Sequence, residues 1–240
     1  VPKLDKSKYT KQQIQTLLAE RRRQKALESY TPNLVNDHTN KTYGFVLGNG
    51  LSRKGIDPEQ LKEFGKVYGC NAIYREMDPD YLVAVDVKMI LEITGKNYQK
   101  KNKNVWTNLN KAYKNIEGLN YFKPSKGWSS GPTALFLATQ HLPSYKKIFI
   151  LGFDYAGTGD NLKKVNNIYA GSPNYKKQND GATYYGNWLR QTTTILKTNP
   201  QITFYRVILP DNIIPPELNK FSNLKHITIK EFKQMFNLCT

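Results

Sequence analysis

The sequence predicts an α/β protein on a doubly wound, mostly parallel sheet, with a basic helix at its N-terminal end and a long lid-like insertion before the last predicted strand. Three observations predict it. From Tyr43 onward short apolar runs alternate with helical stretches, the pattern of successive βα units. Several of the runs are too continuously apolar for a sheet wet on one face. Gly, Asn, Asp and Ser gather just after them, where chains leave the carboxyl ends of parallel strands.

The elements follow in order. Thr10, with Gln13 three positions on, forms a capping-box pattern, and the helix-forming run to about Ser29 carries Arg21, Arg22, Arg23 and Lys25. Its apolar residues, Ile14, Leu17, Leu18 and Leu27, make only a thin stripe. Residues 1–40 are therefore expected to be an arm helix that docks lightly on the body or a partner, or is simply solvated, followed by a polar linker. Residues 41–240 are expected to form one domain. Strands are predicted at Tyr43–Gly48, Lys66–Cys70, Tyr81–Val85, Lys147–Leu151 and Ile202–Val207. Asp57, Pro58 and Gln60 supply cap, first helical residue and capping-box partner for a short helix to Phe64. Further helices are predicted from Ser130 or Gly131 to about Gln140, and from Ala182 to Thr198. Two stretches break the rhythm. Lys96 to Lys126 holds eight lysines and one acid, Glu117. Gly152 to Gly181 is a long polar connection, and uninterrupted connections of that length are usually functional.

Composition narrows the function classes. The chain has 240 residues, 36 Lys+Arg against 19 Asp+Glu, and a formal net charge of +17. That excess points to an anionic ligand or a polyanionic partner. No run approaches the roughly 18 apolar residues of a membrane span, and the first residues lack the apolar stretch of a signal peptide, so a soluble cytoplasmic protein without membrane attachment is expected. Cys70 and Cys239 are the only thiols and there are three histidines, too few for a disulfide framework or a Cys/His zinc site.

The candidate chemistry lies at the strand ends. Gly48-Asn49-Gly50-Leu51-Ser52 follows the first strand, Asn71 the second, Asp86 the third, and Gly152-Phe153-Asp154-Tyr155 the fourth. Ser129-Ser130-Gly131 opens a helix whose positive end suits a phosphate. Each feature also has a structural reading: Gly-Asn-Gly as a tight turn without the third glycine of the dinucleotide fingerprint, Ser130 as a helix cap, Asp154 as a turn carboxylate. The incomplete fingerprint disfavours an oxidoreductase, and no Walker loop supports NTP hydrolysis. Asp78-Pro79-Asp80 has the form of a metal-holding carboxylate pair, but it precedes a strand and Pro79 suits a turn, so no metal site is expected.

In order, Phe45-Val-Leu-Gly-Asn-Gly-Leu-Ser52, Tyr68-Gly-Cys-Asn-Ala-Ile-Tyr74, Ser129-Ser-Gly131 and Ile148-Phe-Ile-Leu-Gly-Phe-Asp-Tyr155 resemble the bacterial sialyltransferases with a single Rossmann-like nucleotide-binding domain, and related phage proteins. The resemblance covers about residues 43–208 and implies a metal-independent, nucleotide-sugar-dependent glycosyltransferase. It implies donor contacts from Gly48, Asn49, Gly50, Ser52, Asn71, Ser129, Ser130, Gly131, Asp154 and Tyr155. It also implies a lid at about 155–185 that places Tyr169 and Tyr184 or Tyr185 on the donor phosphate. The family's histidine base is missing, since no histidine lies between His141 and His226. Asp86 or Asp154 is then the expected base.

A small donor does not use a charge excess this large. Lysines at 100, 101 and 103 and the arginines at 21–23 are expected to track a polyanion, with modified phage DNA as the expected acceptor. The interleaved aromatics Tyr98, Trp106, Tyr113, Tyr121, Phe122 and Trp128 either stack on bases or belong to the core. The competing expectation is a non-catalytic nucleic-acid-binding or virion-associated protein on the same fold.

Overall fold

The computed structural model describes residues 43–141 and 147–238. The arm helix with Arg21, Arg22 and Arg23 lies outside the described residues. Eight strands, β1 (Tyr43–Leu47), β2 (Gly65–Cys70), β3 (Tyr81–Val83), β4 (Val105–Asn108), β5 (Leu119–Phe122), β6 (Lys147–Leu151), β7 (Thr203–Ile208) and β8 (Leu224–Thr228), form one sheet. Its order is β5-β4-β3-β2-β1-β6-β7-β8 and every pairing is parallel. The chain walks outward from β1 to one edge, returns to the other side of β1 with β6, and walks outward again. The order therefore reverses between β1 and β6, the position where such sheets open a crevice beyond their carboxyl ends.

Alternation along the strands feeds two core layers. Phe45 and Leu47 of β1 face one layer with Val67, Leu82, Phe149 and Val207, while Val46 faces the other with Tyr68, Val83, Ile150 and Phe204. The first layer is covered by α1 (Val87–Gly95), whose Met89, Ile90 and Ile93 are buried, and by α5 (Ile229–Met235). Phe149 lies at its centre, stacked between Phe45 and Tyr205 at 5.5 and 4.9 Å, with Phe232 and Phe236 meeting it edge-on. The second layer is covered by α3 (Ser130–Gln140), buried almost along its length, and α4 (Gly186–Thr198).

The predicted strands and the Ser130–Gln140 helix are present, and the differences have local causes. The Asp57–Phe64 segment closes only as a 3₁₀ turn at Gln60–Glu63, although the Asp57 carboxylate accepts from the Glu59 amide as a helix cap would. The helix expected from Ala182 starts at Gly186. The Lys96–Lys126 stretch is no interruption: it contains α2 (Tyr98–Lys101) and the last two strands on one side of the sheet, β4 and β5. Of its aromatics, Tyr98, Tyr113 and Phe122 are buried, and Trp106, Tyr121 and Trp128 pack on the cores. They are core residues rather than stacking platforms. Among the described residues no helix is long and apolar enough to cross a membrane.

Candidate functional site

A cleft of about 630 Å³ opens at the switch point. Its floor is made by the two loops that leave β1 and β6. They pack backbone on backbone: the Gly48 amide donates to the Leu151 carbonyl at 2.8 Å and the Gly50 amide to the Gly152 carbonyl at 2.9 Å. A Cβ on Gly50 would stand 2.5 Å from the Asp154 Oδ2, and Gly152 adopts φ +72° with its Cβ position 2.7 Å from the Gly48 carbonyl oxygen. The glycines are required by this approach and, through it, they place Asp154. Asp154 is 5% exposed; its Oδ2 accepts from the Ser52 amide at 3.1 Å, while its Oδ1 has no partner.

Arg206 on β7 fixes that turn from below. It is 1% exposed and donates through Nε to the Phe153 carbonyl at 2.7 Å and through Nη2 to that of Asp154 at 3.0 Å. Arg53 does the same for the first loop, donating to the Gly48 carbonyl at 2.8 Å.

Two helices begin at the cleft, one from each layer. Residues Ser129 to Pro132 bring in the start of α3, and Asp86 to Met89 that of α1. Their N-cap residues, Ser129 and Asp86, are of the types that ordinarily accept from the first-turn amides, yet neither makes that bond. Ser130 is occupied otherwise, its Oγ accepting from the Val85 amide at 3.1 Å, which ties α3 to the end of β3. Among the described residues the first amides of both helices therefore lack a side-chain cap. Burial by the cleft walls raises the pKa of Asp86. Asn71 and Tyr155, both on the lining, have φ of +54° and +52°, a conformation that is strained for a tyrosine.

The insertion after β6 forms the remaining wall. It is tied to the first loop and to α1: the Asn166 Oδ1 accepts from the Leu51 amide at 2.8 Å, and the Ile168 amide donates to the Asn49 carbonyl at 2.9 Å. Arg75 donates to the Ser172 Oγ at 2.9 Å and to Glu92 of α1 at 2.8 and 2.6 Å, while Asn174 donates to Glu92 at 2.6 Å. Burial opposes the charge on Glu92, but the hydrogen bonds from Arg75, Tyr74 and Asn174 outweigh it and hold the carboxyl down at about 2.

Gly48, Asn49, Gly50, Asn71, Asp86, Ser129, Ser130, Gly131, Asp154 and Tyr155 therefore converge on one cleft. Three expected residues do not line it. Ser52 is fully buried, its Oγ accepting from the Gly152 amide. Tyr169 is buried with its hydroxyl on Arg53 at 2.8 Å. Tyr184 is 75% exposed and stacks on Tyr185. Tyr155 lines the cleft through its ring only, since its hydroxyl donates to Thr192 at 2.8 Å and burial pushes it up to about 12. The tyrosine that the wall does present is Tyr175, whose hydroxyl accepts from Asn49 and from the Ala72 amide. Lys88, Lys176, Cys70 and Trp188 also line the cleft and were not anticipated. Lys88 was findable, standing two residues past Asp86 in the first turn of an amphipathic helix. Nothing in the sequence distinguishes Tyr175 from the other tyrosines of the insertion.

Asp78, Asp80, Lys100, Lys101 and Lys103 lie at the opposite, amino edge of the sheet. Asp78 accepts from Tyr98 and Asn102 and pairs with Lys101 at 3.4 Å; Asp80 accepts from Lys66 and the Val67 amide. The Asp-Pro-Asp motif is structural, and these lysines are remote from the cleft.

The chain is a Rossmann-like α/β protein with a cleft at the switch point of its sheet. The chain matches no family model, no curated protein and no solved structure. Its function is therefore argued from the cleft.

Proposed function

We propose that the protein is a nucleotide-sugar-dependent glycosyltransferase that moves a sugar to a hydroxyl, with modified DNA as acceptor. One observation carries the reading. The cleft combines an uncapped start of α3, a buried carboxylate oxygen without a donor on Asp154, and a second carboxylate, Asp86, held partly away from water. A nucleotide satisfies the first two together: its phosphate accepts from the Ser130 and Gly131 amides, and a ribose hydroxyl or base amino group donates to the Asp154 Oδ1.

Asp86 then takes the acceptor proton. As the acceptor oxygen bonds to the anomeric carbon, its proton passes to the Asp86 carboxylate. The bond from that carbon to the donor phosphate breaks, and the phosphate leaves with the electron pair toward the α3 amides. A carboxylate whose pKa is raised by burial is a better match to this task than a solvated one. Among the described residues neither His141, packed on Tyr68 and Tyr81, nor His226 on β8 lines the cleft. The charge excess supports an acidic polymer as acceptor.

Incubation with a panel of nucleotide sugars and hydroxymethylated DNA, followed by mass spectrometry of the nucleosides, tests the reading. One donor is expected to add a sugar mass to the modified base. No mass shift with any donor would sink the enzymatic claim. The absent histidine favours a second reading, a nucleotide-binding protein without catalysis, which predicts stabilisation by a nucleotide and no transfer.

A further inference from the structure

A second basic surface lies beside the cleft. Lys54, Lys230 and Lys233 line a groove of about 650 Å³ together with Gly55, Gln234 and Asn237. Lys54 follows the 3₁₀ turn Leu51–Arg53 that leaves the cleft floor, and Lys230 and Lys233 sit three residues apart on one face of α5. Among the described residues no acidic side chain lines the groove, and Ile229 and Leu238 complete its lining. Glu231, between the two α5 lysines, is turned into the capping box of its own helix, accepting from the Thr228 amide at 2.7 Å and its Oγ1 at 2.8 Å. Among the described residues none of the three lysines has an ion-pair partner. Gly55 has φ +82° and open space where a Cβ would stand, so a ligand can approach its backbone.

The groove is close to the chemistry. Gly50 lines the cleft and Lys54 lines the groove, and four residues of chain reach at most roughly 14 Å. We propose that this groove holds the phosphodiester backbone of a nucleic-acid strand, with the lysines on phosphates and the Gln234 and Asn237 amides on phosphate or sugar oxygens. Contacts of this kind position a strand without reading its sequence. Binding of the strand stands by itself; that the groove delivers it to the cleft rests on the glycosyl-transfer reading. Three lysines in a concave surface with neutral amides, and no carboxylate among the described residues that line it, suit closely spaced anions on a polymer. The lysines at 100, 101 and 103 are a poorer candidate, because Lys101 faces Asp78 and the set lies at the sheet's far edge.

The test is fluorescence anisotropy of a fluorescein-labelled mixed-sequence deoxyoligonucleotide with the full chain, across a salt series. Lys54→Glu/Lys230→Glu/Lys233→Glu is expected to weaken binding on the order of 50-fold near 0.15 M salt and to make the log–log salt slope shallower by about 2. Lys100→Glu/Lys101→Glu/Lys103→Glu is expected to weaken it only a few-fold. If the reversed-charge groove variant does not fold, the Lys→Gln triple is measured instead, with a smaller loss in the same order. Equal losses from the two surfaces, no loss from the groove, no binding by the wild type, or preference for phosphatidylserine vesicles over the oligonucleotide would each overturn the proposal. Thermal shifts with nucleotides, run in parallel, separate the two claims. Absent nucleotide stabilisation with intact oligonucleotide binding contradicts the glycosyl-transfer reading and leaves the groove standing.

Discussion

The two edges of the sheet carry similar residues with opposite fates. At the amino edge the oxygens of Asp78 and Asp80 meet Tyr98, Asn102, Lys101, Lys66 and a backbone amide, so these two carboxylates are consumed in holding strands and α2 together. At the carboxyl edge Asp86 fails to cap its helix, Asp154 and Asn71 each keep an oxygen without a donor, and two helix starts remain open. Buried polar groups are ordinarily satisfied, and leaving one unmade costs about 1–3 kcal/mol. A set of such groups in one cleft is explained when a ligand completes them. The contrast lies in partnership more than in residue type: the same side chain is consumed at one edge and left with an open oxygen at the other.

The largest expected effect is on Asp86. Asp86→Asn is expected to lower kcat by about 10²–10⁴-fold while nucleotide affinity stays near wild type. A proposed base that acts deprotonated, with burial raising its pKa, is expected to make the wild-type rate fall with decreasing pH from above the ordinary carboxylate range, and the variant is expected to lose that limb. Stopped turnover measurements across pH check both. Asp154→Asn keeps an oxygen for the Ser52 amide but turns its other atom from acceptor to donor. Calorimetry is expected to show nucleotide affinity reduced by about 10–100-fold.

The amino edge is expected to respond in the other currency. Asp80→Asn should cost about 1.5–3 kcal/mol in urea unfolding, through Lys66 and the Val67 amide, with nucleotide affinity unchanged. A loss of affinity there would break the division between the edges. Glu92 joins α1 to the insertion wall, and its titration tests that link. Its folded pKa lies below the unfolded one, so its stabilisation is complete above about 4.5 and is lost as the pH falls toward about 2. Glu92→Gln should flatten stability over that window. The smallest expected effect is Lys101→Ala, within about 0.5 kcal/mol, since its pair with Asp78 is solvent-exposed.

Much of the fold was legible because the central strands are apolar on both faces. The outer strands were not: Val105-Trp-Thr-Asn108, Leu119-Asn-Tyr-Phe122 and Leu224-Lys-His-Ile-Thr228 are short and partly wet, and give no clear strand pattern. α1 carried a signal that went unused, Asp86 ahead of Met89, Ile90 and Ile93 at helical spacing. The site's backbone-defined positions, Asn49, Asn71, Ser129 to Gly131 and Asp154, were legible because the rule that ligands bind at strand ends concerns chain position. Side-chain direction was not. Ser52 and Tyr169 turn inward to tie loops, Tyr184 turns out, and only the packed structure shows that Tyr175 faces the cleft.

The central claim, that the open polar groups of the carboxyl edge form a nucleotide site, is tested most directly by thermal shift. Wild type and Asp154→Asn would be screened against nucleoside mono- and diphosphates and their sugars. One base is expected to stabilise the wild type, by about 2.7 kcal/mol at 100 times its Kd, and to lose most of that effect in the variant. No stabilisation by any nucleotide, or an equal shift in both proteins, would contradict the account.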